Sequence, residues 1–142
     1  MSYLFLPNED LIAERHDPVN IALWILQIIL AVLYFRHGLL LIAPPESAQA
    51  MVAAMNFLPG LSTVIGIAEL LAAVGLILPG LTRIMTWLTP LAAAGLTLLM
   101  GGAFFYHLSR GETGLMLYTG LLLLLAAFLA YARWKRLPLP GR

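Results

Sequence analysis

Few residues in this sequence are of types that could do chemistry, and one stands where its neighbours avoid water. The stretch LSTVIGIAELLAAVGLILPG, residues 61–80, holds a single ionisable side chain, Glu69. Arg36 and His37 occur together in LYFRHGLL, and His107 and Arg110 occur in FYHLSRGE. A charged group at the centre of a membrane helix costs at least about 2.5–3.5 kcal/mol on insertion scales, so Glu69 needs a reason. One reason is structural: an Arg36-paired or protonated glutamate that locks helix packing. The other is functional: Glu69, with His37, His107 and Arg36, anchors or serves as base in a polar, ligand-binding pocket in the outer half of the molecule. Two sharper arrangements are a b-type haem held between His37 and His107, and a 2-His-1-carboxylate metal site completed by Glu69. Neither has a supporting local motif, and lone histidines near helix ends more often hydrogen-bond at an interface. No metal is therefore assigned, and His16, in the polar lead-in, carries no signal.

The elements that hold these residues follow from composition. The chain has 142 residues, 61% of them hydrophobic and 11% charged, with a mean hydropathy of +0.92. A soluble domain usually carries about 25% charged residues, and a small one cannot hide this much apolar surface. The composition is that of a membrane protein of one domain. A net charge of +1 steers it towards no nucleic acid. The absence of cysteine removes disulfides, thiolate metal sites and dithiol chemistry. The N-terminus, MSYLFLPNEDLIAERHDP, lacks a basic leader and reads as a retained cytosolic or interfacial segment, residues 1–19.

Four apolar runs, at about residues 21–42, 60–78, 84–107 and 115–132, each approach the roughly 20 residues that cross a bilayer core. APPE, LPG and RGE punctuate them, and Pro90 kinks or starts the third. Lipid offers backbone groups no partners, so these runs are predicted as helices: an all-α, four-transmembrane-helix bundle. Gly66, Ala73, residues 92–95, Gly101 and Gly102 would allow close helix approach. Arg15, Arg83, Arg133, Lys135, Arg136 and Arg142 gather on one side, against Arg36 and Arg110 on the other. The positive-inside rule then puts both termini in the cytoplasm, with Trp24, Trp87 and Trp134 in the aromatic belt of that face. Glu69 falls roughly 13 Å below the outer end of its span. The tail at 135–142 is basic, an orientation anchor near anionic lipid.

Residues 20–134 resemble the DoxX-like family of small bacterial four-span membrane proteins. The resemblance is carried by GIAELLAAVGLILPG with Glu69, WLTPLAAAGL with Pro90, and FYHLSRGE with His107. It implies a four-helix bundle of the bacterial inner membrane and a link to quinone-dependent oxidation, as a subunit of an oxidoreductase complex. Many relatives carry a lysine late in the first helix, where this sequence has Leu41, with Arg36 and His37 a turn earlier.

The leading expectation is a membrane subunit that binds a quinone or similar amphiphile, with Glu69 and His107 at its polar head and Arg36 and His37 near the entrance. No flavin, nucleotide or other redox motif occurs, so a partner oxidoreductase subunit or a bound cofactor would supply electrons. The alternatives are a non-catalytic scaffold or assembly protein with a structural Glu-Arg-His cluster, and a small-solute or proton transporter. No inverted repeat with paired broken helices favours transport. Glycine- and alanine-rich faces make a homo-oligomer reasonable.

Overall fold

The structure, a computed structural model, describes residues 17–55 and 58–141. Arg15, His16, Arg142 and most of the lead-in segment 1–19 lie outside the described residues. Among the described residues there are five helices and no strand: α1 (Pro18–Ile42), α2 (Glu46–Met55), α3 (Leu61–Thr82), α4 (Leu88–Ser109) and α5 (Thr113–Tyr131). A π-helical turn, Ala132–Arg136, prolongs α5. Helices α1, α3, α4 and α5 with its prolongation are long and apolar enough to cross a membrane, so this is a multi-pass, all-α membrane protein.

Local chemistry sets the ends. Asp17 caps α1 by accepting a hydrogen bond from the Val19 amide at 2.9 Å, and Pro18 opens the first turn, where its missing N–H costs nothing. Gly60, at φ 77°, leads into α3, and Arg83, at φ 57°, ends it. Pro90 starts α4 rather than kinking it, since the helix begins two residues earlier. Pro79 does not end α3, which runs on to Thr82. It sits in the last turn, and its missing N–H deprives one carbonyl, that of Gly75, of its intrahelical donor. The Thr82 hydroxyl donates back to the Leu78 carbonyl at 2.9 Å, one turn earlier on the same helix. α2 went unanticipated in the sequence, being too short and too mildly apolar to stand out between two spans. Its Val52 is buried.

One stripe of each long helix faces inward: Leu23, Gln27, Leu30, Tyr34, Gly38 and Leu41 on α1, and Ser62, Gly66, Glu69, Ala73 and Leu76 on α3. Leu30, Leu76, Ala93, Leu96, Ala126 and Leu129 are fully enclosed and form the centre. The outward faces are as apolar as the core, with Leu98 79% exposed, as lipid rather than water would require. α1 packs chiefly on α3 and α4 on α5, α3 joins the two pairs, and α5 closes back on α1 most lightly.

Helices α1 and α3 come close together between Gly38 and Gly66. A Cβ built on either would stand 2.7 Å from the carbonyl oxygen of the other, so the backbones of α1 and α3 touch. Gly95 and Gly102, expected to serve packing, have no neighbour within 4 Å of such a Cβ, and Gly102 lines a cavity instead.

Candidate functional site

Glu69 lies on the buried stripe of α3, one turn after Gly66, and is fully enclosed. His37 precedes Gly38 on α1. The glycine contact therefore draws the two side chains together, and His37 Nδ1 stands 2.7 Å from Glu69 Oε2. The bond forms with either proton arrangement: a carboxylate accepting from Nδ1–H, or a carboxylic acid donating to Nδ1. A proton can thus pass between the two. His37 is 44% exposed, which makes it the member of the pair that meets the surroundings. The second carboxyl oxygen, Oε1, is buried and has no partner, as is the Tyr34 hydroxyl one turn before His37.

Glu69, His37 and Tyr34 line a cavity of about 440 Å³ walled by all four long helices. His107 lines it too, together with Tyr106 and Tyr118; the remaining wall is largely leucine, isoleucine, alanine and methionine. An apolar chamber with a few polar groups has the composition of a small-molecule site. Thr119 also lines it, but its hydroxyl is engaged by the Leu115 and Met116 carbonyls of its own helix.

His107 is held from the α4–α5 turn. Its Nδ1 lies 2.6 Å from Glu112 Oε2, while Arg110 Nε donates to Glu112 Oε1 at 2.8 Å. The Arg110 hydrogen bond first, and that of His107 second, hold the Glu112 carboxyl below its usual range. With Glu112 ionised, His107 must donate through Nδ1, and Nε2 of the neutral ring remains an acceptor. Because the carboxyl is depressed, the clamp is complete above the ordinary glutamate value of about 4.3. It is lost only as pH falls through the lowered value. Hydrogen exchange of the 110–113 amides, corrected for intrinsic rate, should stay level from neutrality to about pH 5 and rise only below about pH 4. A rise beginning near neutrality would count against the clamp.

Of the four residues singled out in the sequence, three meet in this cavity. Arg36 does not. It is exposed on another face of α1, where it lines an apolar groove of about 360 Å³ with Phe35, Ala73 and Ile77. Adjacent residues on a helix point about 100° apart, so His37, not Arg36, reaches Glu69. Among the described residues no three side chains gather as a metal-ligand set, and His107 turns to Glu112 rather than joining His37 and Glu69. Tyr34, Tyr106, Tyr118 and Glu112 were not singled out in the sequence. Tyr34 was findable, three residues before His37 on the same helix face.

A family model described as the DoxX-like family matches residues 25–129. The chain belongs to the DoxX-like family. Its matched segment carries the cavity residues Tyr34, His37, Glu69 and His107 of this DoxX-like protein. No curated protein and no solved structure matches the chain.

Proposed function

We propose that this DoxX-like protein binds a quinone or a similar amphiphile in the chamber beneath His37, as the membrane subunit of a redox complex. The observation that carries the reading is that Tyr34 and Glu69, each burying an unpartnered polar atom, Tyr34 Oη and Glu69 Oε1, line a roughly 440 Å³ cavity that is otherwise mostly apolar. Leaving such groups unpaired costs about 1–3 kcal/mol each, a cost that a ligand head group relieves.

The donor and acceptor pattern suits both redox forms. A quinone offers only acceptors, which the Tyr34 hydroxyl and a protonated Glu69 can satisfy. A quinol offers donors, for which ionised Glu69 and His107 Nε2 are acceptors. Reduction takes up two protons, and the His37–Glu69 pair connects the head of the chamber to the more exposed side. The electrons come from elsewhere, from a partner oxidoreductase subunit or a cofactor. The basic end, with Arg83, Lys135 and Arg136, faces the cytoplasm of a bacterial inner membrane in this reading.

Titration of the purified protein with a short-chain benzoquinone, followed by intrinsic fluorescence, tests it. Tyr34→Phe removes only the unpartnered hydroxyl. It is expected to weaken binding about 3- to 10-fold, the worth of one hydrogen bond, while leaving the melting temperature unchanged or higher. Absence of saturable binding to the wild-type protein would defeat the proposal.

A further inference from the structure

The opposite end of the bundle holds a second buried ionisable group. Arg133, in the π-helical turn after α5, is only 2% exposed. Its Nε donates to Gln27 Oε1 at 2.6 Å, and its Nη1 to Asn20 Oδ1 at 2.7 Å and to the Leu137 carbonyl at 3.2 Å. Gln27 is held in turn, donating to the Leu76 carbonyl at 2.8 Å. Trp24 lies against the guanidinium, 5.7 Å from ring centroid to Cζ. These contacts tie α1 to α5 where the ring of helices closes most lightly, and they account for part of the fork. Two things remain. Every hydrogen-bonding partner is neutral, so among the described residues no carboxylate balances the charge, and Nη2 is buried with no acceptor.

Arginine keeps its proton in proteins, so it cannot escape burial by becoming neutral, and an uncompensated buried charge is costly. Arg133 also lines a cavity of about 250 Å³, walled by Thr86, Trp87, Trp134, Pro138 and Leu139. The tail forms one wall of this cavity, through Pro138 and through Leu139, which is buried and packs close to Gly80. Arg83, Lys135 and Arg136, all exposed, belong to the same end of the bundle.

We propose that the cavity beside Arg133 binds a phosphate group through the unpartnered edge of the guanidinium. The planar fork matches phosphate geometry, and a hydrogen bond between two charged groups is stronger than one between neutral groups. The exposed Trp87 and Trp134 belong to the level of the membrane–water interface, where lipid phosphates lie, so a phospholipid head group and a soluble phosphate are the two sources of this chemistry.

Full-length protein in mild detergent is titrated with phosphatidylglycerol, phosphatidylcholine and inorganic phosphate, with binding read by native mass spectrometry and thermal stability. The variants are Arg133→Lys, which keeps the charge but not the fork, and Trp87→Glu, which sets a carboxylate on the cavity wall at an exposed position and so spares folding. Saturable binding of one phosphatidylglycerol per chain, weakened about tenfold or more by Trp87→Glu and undisturbed by inorganic phosphate, identifies a lipid site. Saturable, stabilising binding of inorganic phosphate with the same loss in Trp87→Glu identifies a soluble phosphate. Equal, unsaturable uptake of all three by wild type and Trp87→Glu overturns the proposal and leaves Arg133 as a staple between helices.

Discussion

Replacing Gly66 with leucine is expected to disrupt the bundle more than any other single exchange on α3. Even a Cβ at this position would meet the Gly38 carbonyl oxygen at 2.7 Å and Ile42 Cγ1 at 2.9 Å. The first of these is backbone, which cannot rotate aside. Overpacking a tight contact costs typically about 1–3 kcal/mol, and here relief requires α1 and α3 to move apart. Such a shift also lengthens the 2.7 Å His37–Glu69 bond one turn away, so binding in the chamber should fall with stability. Thermal unfolding in detergent reads the first effect and quinone titration the second. Gly95→Leu is the control: no neighbour lies within 4 Å of its Cβ, and little loss is expected. Equal losses for the two variants would show that close helix contact at Gly66 is not what matters.

Glu69→Leu is expected to move stability and binding in opposite directions. A carboxyl group that is fully enclosed, with one oxygen unpartnered, destabilises the folded state on its own account. Replacing buried ionic groups by apolar ones of similar volume is often neutral or stabilising by about 1–4 kcal/mol. The usual penalty for orphaning the partner is small here, because His37 is 44% exposed and can be solvated. The melting temperature should therefore hold or rise. Quinone affinity should fall by about tenfold to a hundredfold, or roughly 1.4–2.7 kcal/mol. A site that costs stability is what function predicts of a residue kept in spite of packing. A large fall in melting temperature would instead mark Glu69 as a structural lock, the scaffold reading.

How much of this was legible follows from which interactions are local. Four spans could be read from apolar runs alone, since a helix is the one solution lipid allows a segment of that length. Pro79 misled the end of the second span, because a proline near the end of a helix removes only one backbone bond, that to the Gly75 carbonyl, and a membrane helix can tolerate it. The special position of Glu69 was plain from its isolation among apolar neighbours. Its partner was not, because Arg36 and His37 are adjacent in sequence and only the rotation of α1 about its axis decides which one faces inward. That rotation is fixed by Gly38 against Gly66, a contact between residues 28 positions apart. The Arg133 network spans still greater separations, to Asn20 and Gln27, and the basic tail read only as an anchor conceals it. Glu112 lay in view in RGE, but as punctuation between helices rather than as the group that orients His107.

In the function proposed above, the chamber beneath the His37–Glu69 pair holds an amphiphile with a hydrogen-bonding head. The most direct measurement is solvent extraction of the protein purified in mild detergent, with mass spectrometric identification and quantification of what is released. Wild type and Glu69→Leu are handled side by side. A quinone or kindred amphiphile near one per chain is expected from the wild type, and its loss from the variant. Only bulk lipid, in equal amounts from both, would contradict it.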